Sequence, residues 1–136
     1  MIRKEAVVEI CTHARECYPH ECCGILVGKV EGRKEAIRVR RLTNAALENP
    51  RVRYALDPRE MLSSDRWARE AGMEMVGFYH SHPDHSPYPS PLDAEGAWPW
   101  YSYLIVSVLK GQETSIKSWV WDESRGEFEE EPLEVV

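Results

Sequence analysis

Apolar side chains recur at helical spacing along residues 4–18, where Val7, Ile10, Cys11, Ala14 and Tyr18 are separated by polar positions. A period near 3.6 predicts an amphipathic helix. Pro19 ends it, because an interior proline removes a hydrogen bond and collides with the preceding turn. From Cys23 the rhythm changes. The run Gly-Ile-Leu-Val-Gly-Lys-Val to Val30 reads as a strand and Glu31-Gly32-Arg33 as a turn. Residues 35–42 alternate in period two and predict its hairpin partner. Residues 52–56 predict a further short strand. Asp57-Pro58-Arg59-Glu60 then presents a capping side chain, a proline at the first helical position and an acid at the third. That chemistry opens a helix, and Gly72 is its expected end.

Met73 to His82 predicts a buried strand that finishes in polar residues. A loop stiffened by Pro83, Pro87 and Pro89 follows, and Ser90-Pro91-Leu92-Asp93 repeats the capping pattern, predicting a short helix through about Trp98. Residues 101–108 and 115–121 predict two more strands, hairpinned around Gly111. Hairpins mixed with helices indicate an α+β fold, not a doubly wound parallel sheet.

The 136 residues, 43% hydrophobic and 29% charged, suit a single domain. No apolar run approaches the ~18–20 residues that span a bilayer. The N-terminus, Met-Ile-Arg-Lys-Glu-Ala, is charged where an export signal needs an apolar stretch. A cytoplasmic protein with no membrane partner is expected. The formal net charge of −6 is unevenly spread: seven acids and one base lie between Asp122 and Val136, so the body is neutral. A nucleic-acid partner calls for the opposite, a basic face, and none is expected. Four cysteines stand at 11, 17, 22 and 23, and the adjacent pair suits neither a bridge nor a zinc knuckle. In a reducing compartment they read as small core hydrophobes.

The chemistry concentrates in residues 80–93, His-Ser-His-Pro-Asp-His-Ser-Pro-Tyr-Pro-Ser-Pro-Leu-Asp. Side chains two apart on a strand share a face, so His80 and His82 point the same way. Two imidazoles side by side form half of a zinc site, and Asp93, carried back by the proline loop, is a candidate third ligand. Such a set leaves an open position for water, as catalytic sites do. Other readings stand beside it: a satisfied histidine pair, Ser90 and Asp93 as a helix cap only, or His85 as the competing ligand.

The pattern His-x-His, seven residues, Ser, two residues, Asp resembles the motif of the JAMM family, the catalytic MPN-domain metalloproteases. Upstream, Pro19-His20-Glu21-Cys22-Cys23-Gly24-Ile25-Leu26-Val27-Gly28 resembles the family's Pro-x-Glu-x-Cys-Gly-x-Leu-x-Gly stretch. The resemblance covers residues 1–121 as one JAMM/MPN domain and leaves 122–136 outside it as an acidic strand or tail. It implies a mixed sheet flanked by helices, of cytidine deaminase-like architecture. It further implies one Zn2+ per chain held by His80, His82 and Asp93, with Glu21 as acid/base and Ser90 at the oxyanion. Residues 94–108 resemble the small stand-alone bacterial branch, linked to ubiquitin-like sulfur-carrier proteins and cysteine biosynthesis. The implied reaction is hydrolysis of the amide bond after the Gly-Gly tail of such a carrier. Trp98, Trp100 and Tyr101 are candidates for the wall of a substrate groove, and equally for aromatic packing under the loop. Two alternatives of other classes are a non-catalytic MPN scaffold module and a RadC-type DNA-associated protein. All five motif positions are intact, against the first; the neutral body and acidic tail argue against the second. A zinc deaminase is excluded, because His-x-Glu with Pro-Cys-x-x-Cys is missing.

Overall fold

The computed structural model describes residues 1–44 and 57–136. Helix α1 spans Lys4–Cys17, and the hairpin β1 (Cys23–Glu31) and β2 (Arg33–Leu42) turns at Gly32. Helix α2 (Pro58–Glu70) is capped by Asp57, whose side chain accepts the Arg59 N–H. Strand β3 (Glu74–Pro83) leads through α3 (Pro91–Ala94) to β4 (Ser102–Leu109), β5 (Glu113–Asp122) and β6 (Glu127–Glu131). The strand expected at 52–56 lies outside the described residues.

All six strands form one sheet in the order β2-β1-β3-β4-β5-β6. Among the described residues only the β3–β4 strand pair is parallel, and the others are antiparallel. The fold is α+β. Helix α1 lays Ala6, Ile10 and Ala14 on one face, over Leu26, Leu104 and Val106. Helix α2 covers the other, with Ala68 over Ile25, Phe78 and Ile105. The acidic segment runs as edge strand β6, and beyond it Leu133 packs into the α1-side core. Val135 then bridges to Ile2, which also bridges to Ala36 of β2.

Two local features aim the functional end of the sheet. In the β1–β3 pairing, Leu26 opposite Gly77 is followed by Val27 opposite Met75, so Val76 is unmatched. This bulge resets the period-two alternation. Val76 and Tyr79 face α1, whereas Phe78, and with it His80 and His82, face the α2 side. The second feature is α3. The capping pattern predicts a helix to about Trp98, but it closes after one turn: Glu95 is extended and Gly96 has φ 72°.

Gly24 has no room for a side chain. A Cβ there would stand 2.2 Å from Tyr79 Cε1. Tyr79 is fully buried and shares a 2.8 Å hydrogen bond with His13 Nδ1, so its ring has nowhere to go. Gly24→Ala is therefore expected to cost about 2–3 kcal/mol in urea unfolding, the upper range of overpacking. An unchanged midpoint would show that the ring gives way freely.

Candidate metal centre and catalytic cleft

The β1–β3 register assembles the site. Cys23 pairs with His80, and the Ser81 N–H donates to the Cys22 carbonyl at 3.1 Å, which carries Glu21 opposite His82. Cys23 shares the face of its partner His80 and hence of His82, and Glu21, two residues ahead of Cys23 and just before β1, comes to the same two histidines. Ser81 points to the opposite face, where its Oγ accepts the Cys22 N–H at 2.8 Å. Asn44 holds the Glu21 carbonyl through Nδ2 at 3.0 Å. Neither residue stands out in the sequence, since a serine between two histidines reads only as a spacer.

Asp93 arrives from the first turn of α3. Its Oδ2 accepts the Ser90 N–H at 2.8 Å, and the Asp93 N–H donates back to Ser90 Oγ at 3.3 Å, a closed capping box. That box presents the carboxylate to both imidazoles. His80 Nε2 lies 3.0 Å from Oδ1 and His82 Nε2 3.0 Å from Oδ2, while the two Nε2 atoms stand 3.2 Å apart. His82 Nδ1 is engaged with the Ser86 carbonyl at 2.9 Å. In the neutral ring this makes Nε2 the lone-pair nitrogen that a metal would take, whereas in the protonated ring Nε2 donates to Asp93. Glu21 joins the imidazoles, with ligand atoms of all three within 4.8 Å of one another.

This donor set fits zinc. Around a tetrahedral ion with bonds of 2.0–2.1 Å, ligand atoms stand ~3.3 Å apart. The two nitrogens, 3.2 Å apart, and each nitrogen 3.0 Å from its own Asp93 oxygen, match that spacing within a few tenths of an ångström. The residues are also buried enough to exclude bulk water: Glu21 is 4% exposed, His80 1% and His82 8%.

Burial and charge divide the two carboxyls. Burial pushes Glu21 up to about 8, with His82 opposing and Asp93 reinforcing the shift. Burial would also raise Asp93, but hydrogen bonds from His80 and His82 outweigh it and hold that carboxyl far below the usual range. His80 is lowered by burial. His82 is raised, because Asp93 and the Ser86 carbonyl outweigh its burial.

A cleft of about 370 Å3 opens onto these groups, walled by Glu21, His82, His85, Tyr88, Ser90 and Leu92 among others. His85 is an exposed wall residue whose carbonyl accepts the Ser107 hydroxyl at 2.5 Å. Trp98, Trp100 and Tyr101 do not line the cleft. Trp98 and Tyr101 pack around Phe78 at 6.1 and 5.3 Å, and Trp100 stacks edge-on to Tyr101 with Lys34 over its ring. All four cysteines are free, and burial raises the thiols of Cys22 and Cys23 to about 12.

Residues 3–122 match the family of prokaryotic homologs of the JAB domain, and the chain belongs to that family. This agrees with the resemblance drawn from the two motifs, and the chain is a hydrolytic enzyme of the JAMM type. It is 44% identical to the desampylase of Haloferax volcanii over 85% of this chain and 84% of that one. It is 35% identical to the CysO-cysteine peptidase of Mycobacterium tuberculosis, over 100% of this chain and 90% of the relative. A solution structure from Desulfitobacterium hafniense superposes with a TM-score of 0.88 at 33% identity, covering 100% of this chain and 93% of that one. Among the described residues, no helix is long and apolar enough to cross a membrane.

Two outcomes are expected. Purified protein should bind about one zinc; His82→Ala should abolish binding, because two ligands hold the ion poorly, and His85→Ala should leave it intact. Metal analysis with the reverse ranking would overturn this ligand set. Thiol alkylation should slow turnover little, since Cys22 and Cys23 hold their protons at neutral pH. Stoichiometric inactivation by alkylation with zinc retained would instead indicate a cysteine nucleophile.

Proposed function

We propose that this protein is a zinc peptidase that hydrolyses the amide bond following the C-terminal Gly-Gly of a small ubiquitin-like carrier protein. The metal is held by His80, His82 and Asp93, with Glu21 as acid/base and Ser90 as donor to the oxyanion. The observation that carries this reading is the convergence of two imidazole nitrogens, 3.2 Å apart, on the two oxygens of one carboxylate, each 3.0 Å from one nitrogen, beside the buried Glu21. The names of the relatives, a desampylase and a CysO-cysteine peptidase, support a carrier joined to a further group at its tail.

Zinc, when bound, lowers the pKa of water from ~15.7 toward ~7 and polarises a carbonyl. The remaining work falls to the chain. Glu21 takes a proton from the attacking water as its oxygen bonds to the scissile carbon, then returns a proton to the amine as the carbon–nitrogen bond breaks. Burial raises its proton affinity toward the range such a shuttle needs, although a dication nearby draws it down again. Ser90 Oγ accepts the Asp93 N–H, leaving its own proton to donate toward the developing oxyanion. Asp93 stays ionised, aligning both imidazoles. Glycines suit the approach, because residues without side chains pass a narrow cleft most easily.

The test uses zinc-loaded protein and a ubiquitin-like carrier extended by cysteine after Gly-Gly, read by intact mass. Cleavage is expected after the second glycine, and far slower when Ala-Val replaces Gly-Gly. Equal rates would leave a zinc peptidase without tail selection. Glu21→Gln should keep its zinc and lose about 10²–10⁴-fold in kcat, the usual weight of a general acid–base group. Turnover close to wild type would remove Glu21 from the mechanism.

A further inference from the structure

The chain segments that deliver Glu21 and His82 are tied together outside the cleft. Tyr18, the residue after α1, donates its hydroxyl to Asp84 Oδ2 at 2.5 Å. Tyr18 stands three residues before Glu21, and Asp84 two residues after His82. The carboxylate is anchored on its other side as well, because Oδ1 accepts the Lys110 N–H at 2.8 Å. The Asp84 N–H donates to the Val108 carbonyl at 2.9 Å. Its backbone is held at φ 59°, the left-handed region that aspartate tolerates better than most residues. The Tyr18 ring lies against Gly111, where an added Cβ would be 3.1 Å from Cδ1. One carboxylate thus gathers the end of α1, the exit of β3 and the β4–β5 turn.

Neither side chain lines the catalytic cleft. Both leads from the bond to the site contain a proline, Pro19 on one side and Pro83 on the other. With φ fixed in each, these short leads have fewer soft dihedrals through which to absorb a displacement at the Tyr18–Asp84 bond. We propose that Tyr18 and Asp84 are positioning residues that set the distance between the Glu21 carboxyl and the His82 imidazole. The proposal rests on the acid/base reading of Glu21. Proton shuttling is sensitive to such spacing: a misplacement of ~1 Å can cost ~10²-fold in rate.

The experiment compares wild type, Tyr18→Phe, Asp84→Gly, the double variant of these two and Glu21→Gln, all zinc-loaded, on the Gly-Gly-Cys-extended carrier. Tyr18→Phe keeps the ring on Gly111 and removes only the hydroxyl. It is expected to lower kcat about tenfold, with KM within about twofold and with zinc content and thermal midpoint unchanged. In the Asp84→Gly background, which removes the acceptor and tolerates the left-handed backbone, the same change should do nothing further, since the Tyr18 hydroxyl has then lost its partner on Asp84. Four results overturn the proposal: a wild-type kcat in Tyr18→Phe, a rise in KM without a fall in kcat, a loss matched by unfolded protein, or additive effects in the double variant. If Glu21→Gln turns over normally, the acid/base reading fails and this proposal with it. If Glu21→Gln is inactive while Tyr18→Phe is normal, only the positioning proposal falls.

Discussion

The antiparallel register between β1 and β3 is the constraint from which the site follows. With Cys23 opposite His80, Glu21 meets His82, and all three polar side chains emerge on one face at one end of the sheet. A slip of one residue would turn the histidines toward α1 and separate them from Glu21. Several features defend that register. Gly24 admits the Tyr79 ring, Ser81 Oγ holds the Cys22 N–H, and the bulge at Val76 absorbs the mismatch farther down the strand. The site is therefore an outcome of sheet pairing, and α3 needs only one turn to complete it.

Two buried carboxyls share this space and are driven in opposite directions. Asp93 sits between two imidazoles and the α3 cap, all of which favour its charge. Glu21 has burial as its dominant influence, which favours the proton. Environments that separate neighbouring carboxyls in this way assign one to hold charge and the other to move protons. The proposed division between a ligand and a shuttle thus has an electrostatic basis independent of any sequence motif. It also explains why the Ser90–Asp93 capping box matters. A helix cap that would ordinarily contribute only stability here aims a carboxylate at two nitrogens.

Much of this was legible in the residue pattern, and the exceptions are instructive. Helices α1 and α2 declared themselves through apolar spacing and caps, and the His-x-His pair followed from strand alternation alone. The expected helix to Trp98 failed because Gly96 and the extended Glu95 override a cap that predicts only a start. Period-two reading also could not reveal the bulge at Val76, since an unmatched residue is defined by its partner strand. The Tyr18–Asp84 bond joins positions 66 apart, and no local pattern links them. The tryptophans were ambiguous for another reason: aromatic residues serve grooves and cores alike, and only their contacts with Phe78 and Tyr101 separate the two.

The acidic strand β6 closes one side of the sheet with Glu127, Glu129, Glu130 and Glu131. An outermost strand presents unpaired backbone groups that invite a second chain to add on. Carboxylates along such a border repel an incoming strand of like charge, so neighbouring molecules are kept from zipping together edge to edge. The protection is electrostatic and not covalent or steric, so dissolved salt weakens it by screening. Where screening is complete, the shortness of this five-residue strand is what still limits pairing at the margin farthest in the sheet from β2.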